Sequence, residues 1–527
     1  YGNYCTANPV IPLTAVFTNG NLTSTTVNRG SRGTLSIPPT GKWYFEYTAG
    51  NAYPMTGLQK DGGVTNTNGQ VSVTLNLDYA GNAAKLYDNA SISGSYGATY
   101  GSGDVIGVAC DADAGTLTFY KNNSTQGVAK SSMDYAADTW FPHMHHFDTG
   151  THSFNFGSVA FTYTPPSNHL ALSTANLSTP AIINPDDHFH SQIVAKSGTT
   201  TTFTLPDWIT TYEYLIIIKN ISGSVEKWYW LNSLRGVNKY ISSNATTAET
   251  TDANVYSRSG TTGTLGSTLT SGKSYLVEIH KAGLASATAS NTTGSINTVA
   301  TSANTLSGFA LVEYTGNQTA GATIGHGLSV APEYLFCKQM NASDGNLDVF
   351  HVSLGGTKRL FLQTASTVST SAAAWNNTSP TSSVITLGDG YGTNKNTVTY
   401  MAYVWHGVDA YSSFGSYKGN NNSDGPMISA SGSPANYFSK HTTSGESWWN
   451  IPSVIPGNEA NTVQQRLRYD TTAASSVSAS MKWDYLSNGV KIRSTNPAYN
   501  TNNALYVYGA WGGQPLTDGA INQGRAR

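Results

Sequence analysis

Acid–base or metal chemistry in this 527-residue sequence would draw on 12 histidines and 30 acidic residues, and two histidine groups have usable spacing. In His143-Met144-His145-His146, a strand would place His143 and His145 on one face and His146 on the other. With His152 nearby and a third ligand from Asp148 or another subunit, that pair could hold a transition metal. The alternative is a polar loop after Trp140-Phe141-Pro142. The second group, His188-Phe189-His190, follows Asp186 and Asp187. Near the axis of a trimer these residues could meet around one ion; alternatively they belong to a solvated linker or to the first strand of a module. These four histidines are candidates only, and the sequence assigns no metal and no cofactor.

Glycan hydrolysis requires two carboxyls at a defined separation, one with a raised pKa. Most acidic residues here sit beside Gly, Asn or Ser in turn-like contexts. No Gly-x-Ser-x-Gly, HExxH or phosphate-cradling loop is present. The glycine run Gly388-Asp389-Gly390-Tyr391-Gly392 precedes no helical pattern and reads as a turn. No catalytic residue is therefore expected. Aromatic side chains can also stack on sugars, and Trp448, Trp449 and Trp511 are the candidates for such a platform. Adjacent tryptophans on a strand face opposite sides, so at most one of the pair Trp448-Trp449 need be core. Core or interface packing is the competing role.

The elements that position these groups are strands. Charged residues are 11% of the chain, against about 25% in ordinary soluble proteins. Gly (53) and Tyr (31) are abundant, alongside many Ser, Thr and Asn: few helix formers, many turn residues and many strand aromatics. With 39% hydrophobic residues the chain can build several cores, so the fold class is all-β rather than disordered. A net charge of −2 and scattered basic residues lack the footprint of a nucleic-acid binder. The longest apolar run, Leu215-Ile216-Ile217-Ile218, is far below the roughly 18 residues of a membrane span, so no membrane insertion is expected. Cys5, Cys110 and Cys337 form no CxxC pair, and buried inert thiols are expected. The chain starts at Tyr1 without a basic-then-apolar leader and is expected to be mature or trimmed.

At roughly 100–200 residues per domain the length allows three to five domains. Residues 1–164 read as one sandwich. Its strands include Lys42-Trp43-Tyr44-Phe45-Glu46-Tyr47 and Asp104-Val105-Ile106-Gly107-Val108-Ala109-Cys110-Asp111. A hairpin through Ala112-Asp113-Ala114-Gly115 leads into Thr116-Leu117-Thr118-Phe119-Tyr120-Lys121. Ser153-Phe154-Asn155-Phe156 and Phe161-Thr162-Tyr163 alternate with period two. Residues 165–190, with Pro165, Pro166, Pro180 and Pro185, read as an extended linker. Three β modules then follow at 191–306, 307–411 and 412–527. Their signature is Glu213-Tyr214-Leu215-Ile216-Ile217-Ile218-Lys219, matched by Glu333-Tyr334-Leu335-Phe336-Cys337-Lys338 and by Asn436-Tyr437-Phe438-Ser439-Lys440. Each is followed by an aromatic stretch and closed by a late strand. Tyr-x-Gly-Asn recurs at Tyr314–Asn317 and Tyr417–Asn420, one module apart. Tyr485-Leu486-Ser487-Asn488-Gly489-Val490 carries an Asn-Gly hairpin turn. A row of separate sandwiches, a way to gain length, is the expected architecture.

The strings Gly41-Lys42-Trp43-Tyr44-Phe45-Glu46, Gly103-Asp104-Val105-Ile106-Gly107-Val108, Gly115-Thr116-Leu117-Thr118-Phe119-Tyr120 and Phe154-Asn155-Phe156-Gly157 resemble a SPRY domain in order and spacing. That resemblance implies a bent sandwich that binds partners through loops and is not a catalyst. Leu172-Ser173-Thr174-Ala175-Asn176-Leu177-Ser178-Thr179-Pro180 resembles the segment after SPRY domains in marine phage tail proteins. Modules two and three resemble repeats of phage virion proteins at Thr319–Leu328, Trp375–Val384 and Phe414–Asn420. The metal-at-an-axis idea for His188 and His190 likewise resembles fibre proteins that hold iron. Together these resemblances imply a non-enzymatic virion protein, a tail fibre subunit that binds host-surface glycans or other virion proteins. They imply a homo-oligomer, a trimer by analogy. Alternative expectations are a capsid or tail decoration protein, a bacterial surface adhesin or filament subunit, and a glycan depolymerase.

Overall fold

In the computed structural model, the described residues are 3–8, 16–25, 29–50, 53–60, 76–88, 91–135, 139–146, 149–177, 179–223, 225–430, 432–458, 460–487 and 489–513. Strands dominate, and the helices among these residues are single turns such as Ala372–Trp375 and Pro497–Asn500. The chain divides into two compact units, one built on residues 1–179 and the other on 180–421 and 430–515.

The first unit is a sandwich. One sheet runs Phe17–Thr18, Thr23–Ser24, His152–Asn155, Lys42–Thr48, Val105–Asp111, Thr116–Lys121, Ser124–Lys130. The other runs Arg29–Arg32, Trp140–His146, Pro54–Lys60, Asn76–Ala80, Lys85–Asp88, Ser91–Ser95. Period-two alternation sends Phe45, Tyr47, Ile106, Val108 and Phe119 of the first sheet onto Leu58, Leu77, Tyr79 and Met144 of the second. Cys5 and Cys110 are buried and unbridged there, and burial pushes both thiols up to about 12, as inert core thiols should be. Phe161-Thr162-Tyr163 is not a ladder strand. The buried carboxyl of Glu46 accepts the N–H groups of Thr162 (2.8 Å) and Tyr163 (2.9 Å), donors a strand partner would otherwise take.

The expected linker is divided between the two units. Leu170–Ala171 pairs in parallel with Lys42–Thr48, and Leu172 is fully buried in the first core. From Pro180 onward the chain belongs to the second unit: Ile182 is buried in its core, Pro185–Asp187 is a 3-10 turn and Phe189–Lys196 is a strand.

In the second unit three sheets repeat one topology. The first runs Phe189–Lys196, Lys273–Leu284, Tyr212–Asn220, Tyr229–Asn232, Lys239–Ile241, Thr250–Thr251. In the second, Phe309–Thr315, Thr399–Trp405, Tyr334–Gln339, Asp348–His351, Lys358–Phe361 and Ser369–Thr370 take the same places, with Ala300–Asn304 added at the edge. The third runs Ser413–Lys418, Leu505–Trp511, Asn436–His441, Trp449–Pro452, Gln465–Arg468, Ser476–Val477. Tyr314 stacks on Tyr400 (5.2 Å) as Tyr417 stacks on Tyr506 (4.9 Å), so the repeated Tyr-x-Gly-Asn marks equivalent strands. Trp483–Leu486 pairs with Gly489–Ile492 as expected, although Asn488 of the proposed turn lies outside the described residues.

These modules are not a row of separate sandwiches. One face of each main sheet enters a single shared core: Leu215, Ile217, Trp228 and Trp230 from the first, Phe336, Val349, Tyr403 and Trp405 from the second, Phe438, Trp448 and Trp511 from the third. The signature lysines close the ring. Lys219 Nζ donates to the Thr472 carbonyl (2.7 Å), Lys338 Nζ to Thr246 (2.7 Å) and Lys440 Nζ to Ala365 (2.9 Å), each in a neighbouring module. Two residues beyond each lysine, the carbonyls of Ile221, Met340 and Thr442 accept from Ser475 Oγ, Glu249 N and Val368 N. Each donor lies three residues beyond the carbonyl that the lysine engages. The three modules are thus linked in a cycle, first to third, second to first and third to second. Desolvation lowers all three ammonium groups to about 8.

His280 is enclosed by the rings of Phe189 (4.8 Å), Phe309 (5.4 Å), Trp511 (5.2 Å) and Trp405 (5.7 Å) in this core, and burial pushes its pKa down to about 3. A depressed imidazole gives stability that is complete above pH 6.5 and is lost as pH falls toward 3, at about 1.4 kcal/mol per pH unit. In urea titrations between pH 4 and 7, His280→Phe is expected to remove this component of the acid slope. An unchanged slope would show that the imidazole is not held neutral.

Candidate functional site

The candidate site is a cleft of about 890 Å³ on the first module of the second unit, within the size range of small-ligand sites. The 3-10 turn Pro185–Asp187 supplies Asp186 and Asp187, and the turn Asp207–Thr210, set by Pro206, supplies Asp207 and Trp208. At the start of the strand Tyr212–Asn220 the register shifts between Tyr212, opposite Leu284, and Tyr214, opposite Lys281, so the partner strand carries an extra residue, and such a bulge re-aims side chains. Tyr212 thereby joins the cleft wall beside Trp208, and both rings are half-buried.

Polar groups in the wall are tied to one another. Lys281 Nζ lies 3.9 Å from the Tyr212 ring centroid and 5.6 Å from that of Trp208, a cation–π position that holds the ammonium on the aromatic wall. Trp208 Nε1 donates to the Asp186 carbonyl (3.0 Å). Asn304 Oδ1 accepts the N–H groups of Leu306 and Ser307 (3.2 Å each), which fixes the amide so that its Nδ2 faces His188 Nδ1 (3.3 Å). Burial and the Lys281 charge push His188 down to about 4, so at neutral pH it is uncharged. An Nδ1 that accepts from Asn304 leaves the proton on Nε2, and the ring keeps one N–H donor.

The sequence candidates separate cleanly. His188 and His190 do line one cleft, but His188 is engaged by Asn304 and His190 Nδ1 lies 3.8 Å from Asp186, with Lys281 also in the wall. They do not converge on an ion position. His143 and His145 share a face of their strand, as expected, but both are buried, and His143 Nδ1 is bound to the Asp78 carboxylate at 2.9 Å. Asp148 and the His146 side chain lie outside the described residues, and among the described residues no three His, Cys, Asp or Glu side chains form a metal-holding group.

The tryptophan platform fails on burial. Trp448 is fully buried in the shared core, where its Nε1 donates to Phe361 O (2.8 Å). Trp511 stacks on Trp405 at 6.1 Å. Trp449 is only 6% exposed, packed on Tyr499 with Arg466 over its ring. Both faces of that strand are covered, so neither tryptophan of the pair is free. Sequence reasoning missed Trp208, Tyr212, Asp207 and Lys281; the only local signal was the Leu205-Pro206-Asp207-Trp208 turn.

A family profile described as "Domain of unknown function (DUF7483)" covers residues 184–515, nearly the whole second unit and more than half of the chain. The chain belongs to the DUF7483 family. A second profile, the SPRY domain, covers residues 42–159, so the first sandwich is a SPRY domain. Solved structures similar to this chain include the SPRY domain of human HERC1, at 16% identity over 29% of this chain and 99% of that one, TM-score 0.25. The TRIM65 PSpry domain is 14% identical over 29% of this chain and 93% of that one, TM-score 0.24. A human SPRY domain is 18% identical over 28% and 97%, TM-score 0.20. No curated protein matches the chain. The cleft lies within the DUF7483 domain.

Proposed function

We propose that this chain is a non-enzymatic structural protein of a phage virion, a tail fibre subunit that attaches to host-surface glycans through its DUF7483 domain. The observation that carries the reading is the cleft, where half-buried Trp208 and Tyr212 stand beside carboxylates and amide groups, the side-chain types that hold sugars by stacking and hydroxyl hydrogen bonds. Carboxyls whose protonation is displaced upward to about 7 and 8, Asp348 and Glu278, are sealed in the interior rather than paired across a cleft, which supports binding over hydrolysis. SPRY domains bind partners, so the first unit supplies contacts to other virion proteins in this reading. Repetition of the chain on one particle sums weak sites by avidity.

Immuno-gold labelling of particles with antibody to this chain is expected to mark distal fibres. Label confined to the capsid or tail surface would make the chain a decoration protein. Host polysaccharide incubated with the protein is expected to keep its length; shortened chains would overturn the non-enzymatic assignment. Homo-oligomerisation, a trimer by analogy with fibres, is checked by solution mass. A one-chain mass would leave the internal ring as the only threefold element.

A further inference from the structure

We propose that the DUF7483 cleft selects an uncharged saccharide, seated against Trp208 with its hydroxyls donating to Asp186 and Asp207 and accepting from His188 Nε2. This inference rests on the attachment reading and specifies its ligand.

The argument is one of charge and of donor and acceptor placement. Three carboxylates, Asp186, Asp187 and Asp207, face the cleft against one ammonium, Lys281, whose Nζ is already engaged by the Tyr212 ring. The cleft is therefore net negative, and a sialic acid, a uronate or a phosphate-bearing polymer would meet repulsion. A free divalent ion is not what the carboxylates are built for, because no three acidic or histidine side chains converge among the described residues. Sugar hydroxyls both donate and accept. The exposed Asp186 and Asp207 can only accept, and the Asn304-fixed tautomer of His188 offers the complementary donor. The indole of Trp208 is anchored through Nε1 to the Asp186 carbonyl, so it meets a ligand already ordered and little side-chain freedom is lost on binding. A volume of about 890 Å³ accommodates a short oligosaccharide rather than a protein segment with its own core.

The test is titration calorimetry of the full chain with neutral oligosaccharides built on glucose, galactose, mannose and N-acetylglucosamine. Sialyllactose and oligogalacturonate are the acidic comparators. Binding to at least one neutral series, with the acidic series at least tenfold weaker, is the expected result. Trp208→Ala is expected to lower that affinity at least tenfold, and Asp207→Asn several-fold, both with urea midpoints near the wild type. Because Trp208 also packs on the first module, Asp207→Asn, at an exposed carboxylate, keeps the test valid if Trp208→Ala unfolds. Preference for the acidic sugars, absence of binding across the panel, or full affinity in a folded Asp207→Asn and Trp208→Ala pair would overturn the proposal. A parallel assay separates it from the attachment reading: purified chain is used to block adsorption of particles to host cells. If wild type and Trp208→Ala block equally, attachment stands and this cleft is not its site; if neither blocks, attachment itself falls.

Discussion

Trp448→Ala is expected to destabilise the three-module unit by about 3–5 kcal/mol, the usual cost of removing a sealed tryptophan, and to leave sugar binding by the folded fraction unchanged. Trp448 is fully buried, its ring lies 6.0 Å from that of Phe438, and its Nε1 satisfies the Phe361 carbonyl of the second module. Truncation leaves a cavity at the seam and leaves the Phe361 carbonyl only the long contact from Thr364 N (3.4 Å), and the cavity cannot close without moving two sheets. Trp228 holds the same register position in the first module and donates to Arg468 O in the third, so Trp228→Ala should cost a similar amount. Urea unfolding followed by tryptophan fluorescence measures both. Loss of sugar affinity with an unchanged urea midpoint would return Trp448 to the ligand role first considered for it.

At pH 8.5, Glu278→Gln is expected to be more stable than the wild type by roughly 3–5 kcal/mol, and at pH 4.5 nearly equal to it. Glu278 lies on the core face of Lys273–Leu284 between Leu276 and His280, fully buried, with Oε1 accepting from Asn436 Nδ2 at 2.7 Å. Desolvation raises its pKa from 4.5 to about 8. The folded protein therefore holds a proton that the unfolded chain releases. That stabilisation is complete below pH 4.5 and is lost as pH rises to about 8. Glutamine keeps a carbonyl for Asn436 and cannot ionise, so the decline between pH 4.5 and 8 should be shallower in the variant. Urea midpoints at pH 4.5, 6.5 and 8.5 decide the matter, and parallel pH profiles for the two proteins would show that Glu278 does not ionise within the core.

Several features of the fold were legible residue by residue. Lys42–Thr48 and Val105–Asp111 were readable as strands from their own aromatic and apolar residues, and their order and spacing carried the resemblance to a SPRY domain. The signature ending in Lys219, Lys338 and Lys440 marked equivalent strands by its repetition along the chain. What those lysines do was not legible. Their acceptors, Thr472, Thr246 and Ala365, lie in other modules and are chosen only when the sheets close on one another.

By itself, then, the sequence determined the all-β class, the SPRY sandwich, the threefold repetition and the inert burial of Cys5, Cys110 and Cys337. The SPRY sandwich followed from the resemblance of its strand motifs to that family, and the others from composition or from spacing and repetition along the chain. Tertiary structure alone decided that the modules share one core, that Trp448 and Trp511 point into it, and that His143 meets Asp78 from 65 positions away. It also decided that Tyr212 and Lys281 meet in the wall of one cleft. The physical reason is the same throughout: a strand's pattern says which residues share a face, and only the partner packed on that face determines whether it is sealed or left open to a ligand.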